Sequence, residues 1–345
     1  MKAVTYHGVG DFRVTEQRKP ELAARGDALV RVTLGAICGS DLHIYHGHTP
    51  IDEGAVIGHE MIGVVEEVGP EVRDVKPGDH VVAPFFTACG GCYQCLRGWY
   101  SQCEERAVFG HGAFFGGLGG AQAEYCVVPR ADLNLARVPD GVDDEQAIFV
   151  GDILATGYFA AERGQIRPGD TVAVIGAGPV GLMAVMCASL FGPARVFAVD
   201  MVGSRLELAG ELGAVPLDTR ATNPVAEIQS HTGGCGADVV LECVGQIAAI
   251  ETAINCVRGG GTVSSVGVPS AINGDFPYFD AWNRDLTFRA GWTNVHPYMR
   301  PLLDLIAARR LRPEAIISHR MRLDQAAAAY RMFDHREATK IVLRP

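Results

Sequence analysis

Four of the chain's ten cysteines crowd into residues 89–103, CGGCYQCLRGWYSQC, and thiols at that density pair with one another, react, or hold a metal. Disulfides persist in oxidising surroundings, and secreted chains carry an apolar N-terminal signal. The opening MKAVTYHGVGDFRV mixes charge, histidine and glycine instead, so a reducing cytoplasm is the expected location. Metal ligation is then the expected use of the thiols. Cys89, Cys92 and Cys95 are spaced C-x2-C-x2-C, Cys103 follows after a short loop, and Gly90, Gly91 and Gly98 let the backbone curl around a small tetrahedral ion. Four thiolates close the shell of a zinc ion and leave no position for substrate, which makes this site structural. Four unrelated thiols or an iron–sulfur cluster are the alternatives, and no partner motif for a cluster occurs elsewhere in the chain.

A second stretch with chemical meaning is Gly176-Ala-Gly178-Pro179-Val180-Gly181, which follows the apolar run TVAVI and opens a stretch of small and apolar residues. Glycines at these spacings permit a tight turn, close approach of a pyrophosphate and close packing of helix on strand, while the helix N-terminus offers N–H groups and partial positive charge. Asp200 ends the next apolar run, VFAVD, at about the spacing where a carboxylate holds the adenosine ribose hydroxyls. That carboxylate repels a 2′-phosphate, so NAD is expected over NADP; Arg205, five residues on, is a guanidinium that tolerates the phosphate. The other reading of Asp200 is a loop carboxylate or a helix N-cap.

These motifs need two kinds of scaffold. Up to about residue 150, short β-rich runs such as DALVRVTLGAIC and MIGVVEEVG alternate with turn signals such as KPGD, the pattern of a small barrel-like β domain. Beyond it the rhythm becomes strand, helix, strand: TVAVI, ARVFAVD, ADVVLECVG and GGGTVSSVGVP read as strands of a buried parallel sheet, and the alternation as a doubly wound α/β fold. From about residue 291 the chain turns irregular and then amphipathic. A length of 345 residues fits two domains, and 48% hydrophobic residues suffice for large cores. The net charge of −10 and the lack of basic runs argue against nucleic acid as a partner. No apolar run is long enough to span a bilayer, so no membrane partner is expected.

A catalytic metal with an open coordination position would need ligands outside the cysteine cluster. GAICGSDLHIYHG supplies Cys38, and IGHEMIGVVEEVG supplies His59 followed by Glu60. Taken singly, a cysteine is commonly a small core residue and a histidine is commonly satisfied by a hydrogen bond.

Together, however, C-G-S-D-x-H, G-H-E, the four-cysteine stretch, G-x-G-x-x-G and GDILATGYFAA resemble the zinc-containing medium-chain alcohol dehydrogenases over nearly the whole chain. The resemblance implies a GroES-like β-rich catalytic domain (1–150, completed by 291–345) around an inserted Rossmann domain (151–290), with the active site in the cleft between them. It implies Cys38, His59 and Asp152 as ligands of a catalytic zinc, Asp152 standing where many members have a cysteine; a carboxylate is an acceptable zinc ligand. Glu60 resembles a glutamate that can visit the metal, and Asp41 the carboxylate that orients the zinc-bound imidazole. Two zinc ions per chain and a homo-oligomer, tetramer or dimer, follow from the same resemblance.

The implied reaction is hydride transfer between an alcohol, made acidic by zinc, and the nicotinamide of NAD, giving an aldehyde or ketone. Ser40 and His43 resemble the relay that carries the proton to water, with His46 and His48 as neighbouring competitors; a turn hydroxyl and a surface histidine are the plainer readings. Thr156 resembles a threonine packed on the nicotinamide, Val266 to Val268 the strand whose backbone holds the carboxamide, and Lys340 a basic residue near the pyrophosphate. Gly39 stands where liver-type members carry an arginine on that phosphate. Phe85 resembles an aromatic wall of the substrate pocket, and Phe109, His111, Phe114 and Phe115 lie on a glycine-rich loop near it, although aromatic residues on one segment are commonly core. Formaldehyde dehydrogenase or dismutase chemistry, polyol or threonine oxidation, and a zinc-free reductase or scaffold are the other functions this pattern admits.

Overall fold

A run of five apolar or small residues with no polar partner, TVAVI, is stable as a strand only where both faces are covered, and Thr171–Ile175 lies in the middle of a six-stranded parallel sheet with Val172, Ala173 and Val174 fully buried. This is a computed structural model, describing residues 1–269 and 275–345. The sheet runs in the order Val215–Asp218, Arg195–Asp200, Thr171–Ile175, Ala237–Glu242, Val257–Ser265, Thr287–Ala290. Helices Pro179–Ala188, Gly203–Glu211, Pro224–Ser230, Ile247–Cys256 and Tyr278–Asn283 connect the strands. Strand order reverses between Thr171–Ile175 and Ala237–Glu242, the topological position at which doubly wound sheets bind ligands beyond the carboxyl ends of their strands.

This sheet forms one compact unit, Thr156–Thr293, and the remainder forms the other, Met1–Ala155 with Asn294–Pro345. The sequence boundaries at 150/151 and 290/291 thus fall a few residues before the structural ones, because helix Ile153–Gly164 starts in the first unit and ends in the second.

The first unit is built on a seven-stranded sheet. Its long central pair, Ala28–Ala36 against Glu60–Val68, is antiparallel, with register shifts next to Leu29/Val30 and Val32/Leu34. The C-terminal strand Ile341–Arg344 adds to the Ala28–Ala36 edge, so the returning segment is part of the same sheet. One face covers a core of Val30, Met61, Val81, Phe109 and Val128. A second core gathers Phe12, Ile37, Ile44, Tyr330 and Leu343, joining the N-terminal hairpin to helix Ala326–Asp334.

Candidate active site and metal centres

Cys89 follows the short strand Phe86–Thr87, and two single-turn helices, Cys95–Arg97 and Tyr100–Gln102, bring Cys95 and Cys103 back to it. The four Sγ atoms all lie within 4.8 Å of one another, and Cys89 and Cys95 are 4.0 Å apart. Thiolates held tetrahedrally at zinc–sulfur bonding distance stand about 3.8 Å apart, so the cluster fits the ion without rearrangement. Backbone N–H groups of Cys89, Cys92 and Glu105 point at cluster sulfurs at 3.2, 3.3 and 3.4 Å. Backbone N–H groups of Cys95 and Glu104 pull the Cys92 thiol down to about 6, whereas burial pushes Cys95 up to about 12. A divalent cation resolves that conflict by neutralising several thiolates at once. All ten cysteines are free thiols, so the disulfide reading is set aside. Asn294 of the returning segment braces this lobe, accepting from the Ser101 N–H at 3.2 Å and donating to the Gly98 carbonyl at 2.6 Å.

The second cluster comes from three distant places. Cys38 follows strand Ala28–Ala36 and His59 precedes strand Glu60–Val68; because Ala36 pairs with Glu60, the two side chains emerge together. Asp152 follows the turn Ile148–Gly151, which is pinned by a Phe85 N–H to Gly151 carbonyl bond of 2.9 Å; a Cβ on Gly151 would stand 2.0 Å from the Ala83 carbonyl oxygen. Ligand atoms of Cys38, His59 and Asp152 lie within 4.8 Å of one another, and all three residues are buried. His59 Nε2 is 3.1 Å from Asp152 Oδ2 and 3.3 Å from Ser40 Oγ; its Nδ1 faces Asp41 Oδ1 at 3.1 Å. Burial pushes the Cys38 thiol up, and the Asp152 charge adds to the shift. Burial opposes a charged His59, but the Asp41 charge and hydrogen bonds to Asp152 and Asp41 outweigh it and hold the imidazole well above its ordinary range. A thiol, an imidazole and a carboxylate make the three-ligand donor set of a catalytic zinc, and these residues fit that ion.

Glu60 and Lys340 adjoin this cluster. Lys340 Nζ donates to Glu60 Oε2 at 2.5 Å and to the Ile37 carbonyl at 2.8 Å, while Glu60 Oε1 is buried without a hydrogen-bond partner. Burial pushes Glu60 up to about 7 against the pull of the Lys340 charge. The sequence reading put Lys340 beside a pyrophosphate; its ammonium is instead fully buried on Glu60 and Ile37, because the strand that follows it, Ile341–Arg344, docks beside Ala28–Ala36.

Ser40 caps the short helix Asp41–Tyr45, Asp41 opens it and His43 lies in its last turn. His43 is half-buried; burial, then the charges of His48 and His46, lower its pKa. His46 is tied to Asp334 at 2.8 Å. Among the aromatic candidates, Phe85 lies edge-on to His59 with ring centres 6.2 Å apart, and His111 is nearer still at 5.0 Å. Burial, followed by the His59 charge, pushes His111 down to about 4, and its Nδ1 faces the Phe109 carbonyl at 3.0 Å. Phe115 packs on His111, with ring centres 5.8 Å apart. Phe109 itself is a core residue of the β domain with no exposed surface, so it is no pocket wall, and Phe114 points to solvent, 77% exposed.

In the second unit, the glycine turn joins strand Thr171–Ile175 to helix Pro179–Ala188, with Gly178 as N-cap and Pro179 in the first turn. Gly176 has a positive φ of 88°, and a Cβ on Gly181 would meet the Gly176 carbonyl oxygen at 1.7 Å. Above Gly178 the nearest atom to an added Cβ is Arg205 Nη1 at 3.8 Å, so the middle of the turn is open and a guanidinium overlooks it. Val180 is half-buried in the same helix turn. Asp200 accepts from the N–H groups of Ala177 at 2.7 Å, Met201 at 2.7 Å and Val202 at 2.9 Å, tying the glycine turn to the next loop. Thr156 is buried and accepts a hydrogen bond from Thr293 Oγ1 at 2.9 Å. The strand before Val266 ends at Ser265, so Val266 and Val268 lie in the following loop rather than in the strand; the Val266 N–H donates to the Glu242 carbonyl at 2.9 Å, and Val268 is 44% exposed.

Sequence reasoning missed Glu242. Its buried carboxylate accepts from the N–H groups of Val244 and Gly245 and from Ser265 Oγ, each at 2.7 Å, and so joins two loops at the carboxyl ends of the sheet. An acid closing the apolar run VVL was the available signal. Tyr330 and Gln122, which contact Asp41, had no local signal.

Known proteins share both parts. The alcohol dehydrogenase GroES-like domain matches residues 24–140, and the zinc-binding dehydrogenase domain matches residues 179–308. A probable zinc-binding alcohol dehydrogenase of Mycobacterium tuberculosis is 40% identical, over all of this chain and 89% of its own. The solved alcohol dehydrogenase TADH from Thermus sp. ATN1 superposes with a TM-score of 0.97 at 48% identity, covering 100% of this chain and 99% of its own. A putative zinc-binding dehydrogenase from Sinorhizobium meliloti 1021, solved with NADP bound, matches with a TM-score of 0.87 at 30% identity, over 100% of this chain and 99% of its own. Fold and site together define a zinc-binding medium-chain dehydrogenase/reductase, and the chain belongs to that family. Within it, the protein is a zinc-dependent alcohol dehydrogenase, an oxidoreductase acting on CH–OH groups of small molecules. Among the described residues, no helix is long and apolar enough to cross a membrane.

Proposed function

We propose that each chain holds two zinc ions, a catalytic one on Cys38, His59 and Asp152 and a structural one on Cys89, Cys92, Cys95 and Cys103, and that it interconverts small alcohols and their aldehydes or ketones with NAD. The observation that carries this reading is the convergence of one thiol, one imidazole and one carboxylate within 4.8 Å, with His59 Nε2 turned toward Asp152. Zinc, when bound, supplies the Lewis acidity that makes an alcohol hydroxyl acidic, and the nicotinamide takes the hydride. The chain's own groups manage position and protons. Asp41 faces the Nδ1 side of His59, which directs Nε2 to the metal side. Ser40 Oγ stands 3.3 Å from that Nε2, where it can accept the hydroxyl proton and pass it toward His43, one turn along the same short helix. Glu60 keeps a buried, unpartnered oxygen at the site, with Lys340 holding the other. Phe85 and His111 line the same neighbourhood and favour a substrate with an apolar part.

Asp200 supports NAD over NADP, because a carboxylate with lone pairs left after binding three N–H groups can accept from ribose hydroxyls and repels a 2′-phosphate. Asp200→Gly is expected to move the NADP/NAD preference at least about tenfold toward NADP, the scale of one charged hydrogen bond; an unchanged ratio removes the ribose contact. A homo-oligomer in the cytoplasm completes the proposal on family resemblance alone.

The deciding experiment is zinc content per chain in the native protein and in Cys38→Ala, with NADH absorbance followed over a panel of alcohols and aldehydes. Two zinc ions falling to one, with turnover lost, is the expected result. One zinc in both proteins would overturn the catalytic site. Conversion of an aldehyde without added NAD would replace alcohol oxidation with dismutation as the main reaction.

A further inference from the structure

Asp41 is a fully buried carboxylate, and such a group persists only where donors surround it. Its two oxygens are treated differently. Oδ2 receives the Cys38 N–H at 3.0 Å, the Tyr330 hydroxyl at 3.1 Å and Gln122 Nε2 at 3.4 Å, while Oδ1 receives no hydrogen bond of that kind and lies 3.1 Å from His59 Nδ1, with His111 in the same cluster. Gln122 is oriented in turn: its Nε2 donates to the Ala36 carbonyl at 3.0 Å, which leaves Oε1 to accept from Tyr330 at 2.9 Å. The single Tyr330 proton is therefore shared between Gln122 and Asp41. The tyrosine comes from helix Ala326–Asp334, and its ring is clamped by Phe12 (centres 4.6 Å, edge-on) and Tyr45 (6.0 Å, stacked). It has no exposed surface, so its hydroxyl has no access to water and must be satisfied by these partners.

We propose that Tyr330, with Gln122, is a positioning residue of the catalytic metal site: by occupying Asp41 Oδ2 it reserves Oδ1 for the Nδ1–H of His59, which fixes the imidazole with Nε2 toward Cys38 and Asp152. The inference rests on the metal reading above and extends it to the returning C-terminal segment, which supplies no ligand. Without the Tyr330 hydroxyl, Asp41 Oδ2 loses a donor and the carboxylate can rotate. The His59 ring then loses its fixed orientation, at the cost of metal retention that removal of such outer contacts brings, about 10- to 100-fold.

The test uses Tyr330→Phe, which keeps the ring and removes only the oxygen, in the full chain. Metal release into a chromogenic chelator is followed over time in the native protein, in Tyr330→Phe and in Phe12→Leu, which disturbs the packing of the same ring but not the hydroxyl. The native protein should release one zinc rapidly, from the three-ligand site, and one slowly, from the cysteine lobe. Tyr330→Phe should accelerate the rapid phase about 10- to 100-fold, leave the slow phase unchanged, and shift the visible absorption bands of the cobalt-substituted site. Phe12→Leu should lower thermal stability without changing either phase. Identical rapid phases and cobalt spectra in the native protein and Tyr330→Phe would overturn the positioning role while leaving the metal site intact. Acceleration by Phe12→Leu equal to that by Tyr330→Phe would overturn it too, as loss of packing. A native protein with a single, slow zinc would overturn the catalytic metal reading, and this inference with it.

Discussion

The two ligand clusters of this protein are made in opposite ways. The cysteine lobe gathers its four thiols from residues 89–103, through two single-turn helices and backbone N–H groups aimed at sulfur. The other cluster takes Cys38, His59 and Asp152 from three separate connections of the first unit, and the residues behind it from elsewhere in the chain, Gln122 from between His59 and Asp152 and Tyr330 and Lys340 from the C-terminal segment. A local cluster closed by its own loop suits a metal held for shape. A cluster assembled across a sheet can leave one side open for a reactant, but its geometry depends on the whole unit being folded around it.

Several experiments break or sharpen that contrast. The largest expected effect is functional: Cys38→Ala should reduce turnover more than about a thousandfold, since several kcal/mol of charge stabilisation go with the metal, while leaving the thermal transition within a few degrees. Its counterpart, Cys95→Ser, should cost about 3–5 kcal/mol, the scale for breaking a buried charged cluster, and lower the Tm by roughly 10 °C. Steady-state rates and calorimetry on both variants check the division; equal loss of fold in the two would erase it. A chelator added to the native protein should abolish activity before it changes the melting temperature, because three protein ligands close less of a zinc ion's shell than four thiolates do. Asp152→Asn replaces an anionic ligand by a neutral one and should weaken the catalytic zinc by at least about 10- to 100-fold, read by competition with a calibrated chelator, with the lobe zinc unaffected. The smallest effect is expected beside the lobe. Arg130 pairs with Glu105 at 2.5 Å, yet both side chains are largely exposed, so Arg130→Ala should change stability by less than about 1 kcal/mol in a denaturant titration. A larger loss would mean that surface charge, and not the thiolates, holds the lobe in shape.

Legibility followed the same divide. Strands such as Thr171–Ile175 and Arg195–Asp200, the glycine turn between strand and helix, and Asp200 at its strand end could be read in advance because each depends on neighbours a few residues away. Phe109 could not be separated from Phe85 by sequence: both are aromatic and both approach the same region, but Phe109 turns into the core under the sheet while Phe85 lies edge-on to His59. Lys340 was misplaced for a similar reason. A basic residue near the C-terminus has no partner written beside it, and the pairing of Ile341–Arg344 with Ala28–Ala36 is what delivers its ammonium to Glu60.

By itself, the sequence determined what short-range chemistry can determine: a four-thiol lobe from its spacing, a tight strand-to-helix turn from its glycines, two kinds of scaffold from two periodicities, and through its joint motifs the family. Only the tertiary structure decided which oxygen of Asp41 faces His59, that Tyr330 and Gln122 hold the other, and that Glu60 keeps one oxygen free while Lys340 binds the second. The physical reason is range. Backbone turns and ligand spacings are set within a few residues, whereas the orientation of a buried charge is set by whichever donors the packed sheet and helices bring to it from anywhere in the chain.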